Sequence, residues 1–129
     1  MEWKRTRISS SAPWESTVGY SRAIKIGPFL EIAGTTAIDN GNVVAPGDAY
    51  EQTRFILKKI KSVIEEAGGK MEDTIRTRMF VTNIQDWEAI GKAHGEFFGA
   101  IRPAATMVEV KGLIDPALVV EIEVSAFVH

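Results

Sequence analysis

The sequence contains no cysteine and only two histidines, and these absences exclude several kinds of site. Without cysteine there can be no disulfide scaffold, thiolate nucleophile, cysteine–zinc site or iron–sulfur cluster. His129 stands at the end of the sequence, and His94 has no second histidine at a spacing typical of metal ligands. We therefore expect no metal site and interpret His94 as a helix-surface or packing residue.

The sequence also lacks an excess of charge and any long apolar run. Its 15 basic residues are balanced by 17 acidic ones, which leaves a net charge of −2. This balance provides no broad positive field for nucleic acid or for an anionic membrane. No run approaches the roughly 18 apolar residues of a membrane span, and the first residues contain no apolar segment of signal-peptide length. We expect a soluble, cytoplasmic protein without a membrane or nucleic-acid partner.

Common catalytic signatures are missing as well. The sequence has no G-x-G-x-x-G dinucleotide motif, no Walker phosphate loop and no G-x-S-x-G nucleophile elbow. Function must therefore be argued from the fold and from polar residues that the fold brings together.

What remains is an ordinary globular composition, with 45% hydrophobic and 25% charged residues among 129. A chain of this length holds one good core, so we predict a single domain over residues 1–129. The first half alternates as β-strands do, and Gly27-Pro28 is a turn between two of them. These strands are predicted at residues 3–8, 20–26 and 29–33.

The first helix has the clearest signals in the sequence. Asp48 and Glu51 form a start signal of the capping-box kind, and Gly68-Gly69 ends the helix. Between them, apolar residues recur at helical spacing and form one stripe. This stripe consists of Ile56, Ile60, Val63, Ile64 and Ala67.

A second helix is predicted to begin at an Asn83 cap and to end near Gly99. Gly91 and Gly95 lie inside it, and we interpret them as permitting close packing on another element. Further strands are predicted at residues 74–82, 106–111 and 118–128. The order is β-β-β-α-β-α-β-β, which indicates an α+β fold with a mixed sheet and two helices on one face.

Alternation along the later strands distinguishes two faces of this sheet. We assign the aliphatic residues to the face beneath the helices: Ile75, Met79, Val81, Val108, Val120, Ile122, Val124 and Ala126. The opposite face, called the mixed face below, combines charges with large apolar groups: Arg76, Arg78, Phe80, Met107, Glu109, Glu121, Glu123 and Phe127. Such a mixture favours a subunit interface. The alternative is a solvated face whose ion pairs contribute little.

Two acidic residues on the last strand are candidates for chemistry. Glu121 and Glu123 lie two residues apart on one strand face, so both could enter one site. Burial and like-charge proximity would raise the pKa of one of them and suit a general acid or base, whereas structural pairing with arginine is the commoner role. Gly34-Thr35-Thr36 follows a strand and could present backbone N–H groups to an anion.

Several segments together resemble the RidA/YjgF family, whose members are also described as liver perchloric-acid-soluble-protein-like. The most specific are Arg-Pro-Ala-Ala-Thr-Met-Val-Glu-Val at 102–110 and Val-Glu-Ile-Glu at 120–123; others lie at 19–23, 33–36, 51–68, 78–82 and 97–98. The resemblance implies a chorismate-mutase-like fold. It also implies a homotrimer with its mixed faces around a central barrel and three small-molecule clefts between subunits. It implies no metal or organic cofactor.

The resemblance also implies site residues. In RidA the cleft hydrolyses reactive imines and enamines to ketoacids and ammonia. Tyr20 matches the cleft tyrosine, Gly34 the glycine whose backbone faces the ligand, and Glu121 the glutamate that positions water. Thr35, which follows Gly34, is also expected to bind substrate. Met107 occupies a pocket position that is cysteine in many members.

The carboxylate-binding part of the site differs from the family pattern. RidA's activity depends on an arginine in a Pro-Ala-Arg-Ser segment, where this sequence has Pro103-Ala104-Ala105-Thr106. Alanine cannot hold a carboxylate by the paired hydrogen bonds that a guanidinium makes. The chain thus resembles branches that lack this arginine, for which deamination of amino-acid-derived imines is not expected. Arg102 is the candidate replacement, although it lies roughly 10 Å away along a strand.

Three functions are compatible with these residues. The first is hydrolysis of a reactive imine- or enamine-like metabolite without the usual carboxylate, in which Glu121 orients water, Tyr20 contacts the substrate and the Gly34 N–H polarises it. The second is a non-catalytic module that binds or senses a small molecule in the same clefts. The third, ribonuclease activity or translation inhibition, ranks last because RNA cleavage usually requires cationic phosphate contacts and a His or similar acid/base pair.

Overall fold

The fold comes from a computed structural model that describes residues 2–129. Along the chain the regular elements are β1 (Arg5–Ile8), β2 (Ala23–Ile26), β3 (Phe29–Thr35), β4 (Ile38–Asp39), β5 (Asn42–Val43), α1 (Ala49–Glu66), β6 (Thr74–Val81), α2 (Trp87–Phe98), β7 (Ala104–Glu109) and β8 (Val120–Phe127). The predicted β-β-β-α-β-α-β-β order is confirmed. The short β4–β5 hairpin is an addition, in a segment where the sequence indicated only turns.

Six strands form one mixed sheet in the spatial order β1-β2-β3-β8-β6-β7. Strands β6 and β7 run parallel and are joined through α2, whereas the other pairs in this sheet are antiparallel. Within residues 2–129, β7 forms an edge of the sheet with no strand beyond it. The C-terminal strand β8 lies between β3 and β6, so it brings its acidic residues to the middle of the molecule.

Helix α1 packs its predicted stripe against the sheet. Ile56, Ile60 and Ile64 are fully buried, and burial of an isoleucine side chain contributes about 1.5–3 kcal/mol relative to exposure. The helix begins as predicted, because the Asp48 carboxylate accepts a hydrogen bond from the Glu51 N–H at 3.0 Å. Among residues 2–129, no helix combines the length and apolar character needed to cross a membrane.

One buried polar side chain on α1 fixes the chain that enters β8. Gln52 is fully buried, and its Nε2 donates to the carbonyls of Ala45 at 3.1 Å and Ala117 at 2.9 Å. Its Oε1 accepts from the Val119 N–H at 2.9 Å. A buried amide left without partners would cost about 1–3 kcal/mol, so these bonds hold the start of β8 in one position.

Asn83 caps the 3₁₀ turn Ile84–Asp86 and not, as was predicted, α2 itself: its side chain accepts from the Gln85 N–H at 3.0 Å, and α2 begins only at Trp87, after Asp86. The interpretation of the two glycines within α2 is wrong. A Cβ added to Gly91 or Gly95 would meet no atom of the described chain within 4 Å. Within residues 2–129, therefore, no neighbouring element packs so closely on α2 that these two positions need glycine.

The assignments of four residues to sheet faces are also wrong, one on β6 and three on β7. Ile75 is 51% exposed, because the β6–β8 register shifts between Thr74 and Arg76 and interrupts the alternation. In β7, Met107 pairs with the buried Met79 and packs against the core, and Glu109 follows the same parity. Val108 instead lies on the mixed face and is 43% exposed. Alternation within a short strand relates its residues to each other but does not say which set faces the helices.

Candidate functional site

Tyr20 is positioned by a π-helical turn, Glu15–Gly19, that precedes β2. The buried Glu15 carboxylate accepts from the Ser10 N–H at 3.0 Å, and the Tyr20 N–H donates to the Glu15 carbonyl at 2.9 Å. Gly19 closes the turn with φ +90°, a conformation that favours glycine. The turn leaves the Tyr20 ring 36% exposed at the surface.

Gly34 and Glu121 are in close contact where β3 pairs with β8. The register of this pair shifts between Ile32 and Thr35, so Gly34 lies in an irregular part of the strand. A Cβ built on Gly34 would lie only 2.0 Å from Glu121 Oε2. The glutamate side chain thus occupies the space that any larger residue at position 34 would need.

Thr35, the next residue along, has its side chain elsewhere. It pairs with the buried Ile122 and is itself 2% exposed. Its hydroxyl donates to the Ala33 carbonyl at 2.9 Å. The side chain therefore packs on the helix-covered face, away from the half-buried Glu121 carboxyl.

Arg22 is a site residue that the sequence did not single out. Its Nη2 donates to the Gly34 carbonyl at 2.6 Å, and its guanidinium carbon lies 6.0 Å from the centre of the Tyr20 ring. Its Nε is buried and finds no hydrogen-bond partner among residues 2–129. Arg22 thus links two predicted site residues. This link depends on tertiary pairing: the Ala33 N–H donates to the Arg22 carbonyl at 3.0 Å, which brings Arg22 next to Gly34.

The charges around Glu121 act in opposite directions on its proton affinity. Burial raises the pKa of Glu121, the Arg22 guanidinium opposes that rise, and the neighbouring Glu123 adds to it. On α1, burial and the repulsion of Arg22 lower the pKa of Lys59. The Lys59 ammonium donates to the carbonyls of Thr36 at 3.4 Å and Ile38 at 3.2 Å. The result is a half-buried carboxyl under the influence of one cation, Arg22, a setting that suits proton transfer.

A surface groove of about 650 Å³ lies on the mixed face; Tyr20 lines it, whereas Glu121 does not. Its lining includes Tyr20, Glu31, Glu123 and two arginines of β1, Arg5 and Arg7. The groove therefore offers Tyr20 and several charged groups to a ligand or to another protein surface.

The remaining predicted residues lie on the edge strand β7 and just before it. Ala105 is exposed and Met107 half-buried, and their register places them on the helix side of the sheet. Arg102 has φ +56°, and its Nε donates to the Gly99 carbonyl at 3.1 Å, so its guanidinium lies at the C-terminal end of α2. Two strands, β8 and β6, separate this group from β3. Within one chain it does not meet Tyr20, Gly34 and Glu121 in one cleft.

The topology is that of the chorismate-mutase-like α+β class, as predicted. A family model described as Endoribonuclease L-PSP matches residues 9–128. A RutC family protein of Pyrococcus horikoshii is 39% identical over 110 residues, which cover 84% of this chain and 86% of the relative. The chain belongs to the RidA/YjgF family.

Solved structures agree with this assignment. A Mycobacterium tuberculosis protein, described as a member of the highly conserved YjgF/YER057c/UK114 family, is 45% identical with a TM-score of 0.88, over 97% of this chain and all (100%) of that one. A Yersinia pestis protein of the conserved Rid family is 31% identical with a TM-score of 0.84, over 97% of this chain and 100% of the other.

Proposed function

We propose that the protein hydrolyses a small reactive imine or enamine that lacks the usual carboxylate. The observation that carries this proposal is the half-buried Glu121 carboxyl, which lies against Gly34 and is influenced by Arg22. Because burial raises the pKa of Glu121, its proton exchange lies closer to neutral pH than that of an ordinary glutamate. A carboxyl of this kind can both accept and return a proton during one turnover.

The chemistry needs only water and the substrate. The Glu121 carboxylate takes a proton from water while the water oxygen bonds to the imine carbon, and the electron pair of the C=N π bond moves to nitrogen. Glu121 then returns the proton to nitrogen. The carbinolamine then collapses: Glu121 takes the hydroxyl proton and passes it to the amino nitrogen, the oxygen forms the C=O bond, and ammonia leaves with the C–N electron pair. Tyr20 contacts the substrate, the Gly34 N–H polarises it, and Arg22 favours the ionised carboxylate.

We further propose that the active form is a homotrimer with its clefts between subunits. In the single chain, large apolar side chains of the mixed face are exposed to solvent: Ile26 is 39%, Phe29 47% and Phe127 39% exposed. Trp3, Phe29 and Phe127 pack edge-to-face, with ring centres 5.7 and 5.2 Å apart. A neighbouring subunit would bury this patch and bring its own Ala105 edge toward Glu121. Light scattering after size exclusion should give three times the chain mass, and a monomeric mass would contradict the trimer.

The function is tested by ammonia release from imines generated in situ, with and without a carboxylate. Wild-type protein should act on carboxylate-free imines, and Glu121→Gln should lose about 10²-fold or more. Glu88→Gln is the matched control, because Glu88 is an exposed glutamate on the first turn of α2 and does not line the groove. At pH 8 this control should keep its activity. Equal rates for wild type and Glu121→Gln would remove Glu121 from the mechanism, and saturable binding without turnover would favour a binding module.

A further inference from the structure

A histidine–threonine pair connects α2 to the sheet close to its open edge. His94 Nε2 lies 2.9 Å from Thr77 Oγ1, and Thr77 is fully buried. The imidazole ring packs on Phe98, with ring centres 4.7 Å apart and planes inclined at 41°. The orientation of the ring is therefore fixed by two contacts, while part of His94 stays accessible to solvent.

The strand register places this pair beside Ala105. Thr77 and Ala105 are partners on the parallel strands β6 and β7. Neighbouring strands lie about 4.8 Å apart and paired residues point to the same side, so the Ala105 methyl faces the α2 side, as Thr77 does. Ala105 is exposed and β7 is the sheet edge. A longer side chain at position 105 would begin next to His94, so the small alanine leaves the pair open toward that edge.

The charge state of the pair determines what it can bind. Burial lowers the pKa of His94, so its imidazole is neutral at pH 7. A neutral imidazole and a hydroxyl supply hydrogen-bond donors and acceptors but no positive charge. A carboxylate moved from water to this place would lose solvation without gaining a cation from the pair. The Arg76 guanidinium donates to Thr106 Oγ1 at 2.8 Å, on the opposite face of the sheet from this pair. The Arg102 guanidinium lies instead against the Gly99 carbonyl.

From this geometry we infer that His94, held by Thr77, contacts the substrate at the place that Ala105 leaves open, and that the substrate carries an uncharged hydrogen-bonding group there, such as an amide, hydroxyl or carbonyl. This inference rests on the proposed function and specifies its substrate class. His94 is the contacting residue and Thr77 positions it. The expected substrates are imines or enamines whose second polar group is neutral.

The test compares two carbonyl compounds of nearly equal size, pyruvamide and pyruvate, which differ in the charge of one group. Wild-type protein should bind pyruvamide more tightly in calorimetric titrations. His94→Phe keeps an aromatic ring on Phe98 but removes both nitrogens, and it should weaken pyruvamide binding about three- to tenfold, as expected for one lost hydrogen bond, while leaving pyruvate binding unchanged. Ala105→Arg should reverse the preference toward pyruvate. His129→Phe is the matched control, because His129 is an exposed histidine elsewhere in the chain.

A second measurement does not depend on any variant being folded. With only two histidines in the sequence, imidazole ¹⁵N signals can be assigned by comparison with the His129 variant. Pyruvamide should shift the His94 nitrogens and leave those of His129 in place, which a purely structural histidine would not do. Unmoved His94 signals at saturating pyruvamide, tighter binding of pyruvate by wild type, or no binding of either compound would each overturn the inference. Ammonia release that depends on Glu121 would still uphold the proposed function in those cases.

Discussion

Replacing Gly34 by alanine displaces the Glu121 carboxyl with little other disturbance. The new Cβ would lie 2.0 Å from Glu121 Oε2 and 3.0 Å from its carboxyl carbon. Since a carbon–oxygen contact needs about 3.3 Å, the oxygen must retreat by about 1.3 Å. A misplacement of about 1 Å can cost 10²-fold in rate, so we expect kcat/KM for ammonia release to fall by roughly that factor.

The free energy of unfolding should change by less than about 1 kcal/mol, because the displaced group is the end of a flexible side chain. Gly112→Ala is the control, since its Cβ would meet no atom of residues 2–129 within 4 Å. In a Glu121→Gln background, Gly34→Ala should cause little further loss, because the two changes remove the same function. Full activity of Gly34→Ala, or losses that multiply in the double variant, would refute the placement of the Glu121 carboxyl against Gly34.

Three further predictions concern pH and stability. The rate should fall in acid as Glu121 is protonated. Arg22→Gln removes a charge that lowers the pKa of Glu121 and should move this fall to higher pH, whereas Glu123→Gln removes one that raises the pKa and should move it to lower pH. Shifts of the pH–rate profiles in the reverse directions would contradict these charge effects. Gly91→Ala should raise the free energy of unfolding in urea by about 1 kcal/mol, because alanine favours the helix and its methyl meets nothing within 4 Å in residues 2–129; a decrease would show packing at that position. His94 has a lowered pKa when folded, so the unfolded chain takes up its proton first as pH falls below about 6.5. Wild type should therefore lose stability in that range more steeply than His94→Gln, and parallel curves would mean that His94 is not buried in its neutral form.

The sequence predicted the elements whose signals are local. The Asp48 cap, the α1 stripe and the order of strands and helices follow from neighbouring residues, and all are present in the fold. The sequence was a poorer guide to the face of the sheet toward which each side chain points. Ile75 lies next to a register shift, and β7 has apolar residues at both parities, so composition alone could not orient Met107 and Val108.

The site required information that only tertiary pairing contains. Arg22 lies in a segment that resembles the family, but no local signal gave it a site role, because its contact with Gly34 depends on how β2 meets β3. His94 looked like an isolated helix residue because Thr77, its partner, is 17 residues away on another element. Glu121 could be predicted as a candidate since the family resemblance and the strand pattern both indicated it. Its close contact with Gly34 became visible only in the irregular β3–β8 pairing.

The parallel attachment of β7 has a consequence for how this protein could acquire new specificities. The connection between α2 and β7, residues 99–103, helps to set which residues of β7 stand opposite β6. Because strand side chains alternate with a period of two, a one-residue insertion or deletion there would turn the whole strand over. Thr106 and Val108 would then take the sides of Ala105 and Met107. A single codon gained or lost in one surface turn could thus replace the chemistry of the cleft edge in one evolutionary step, without any substitution in the strand itself.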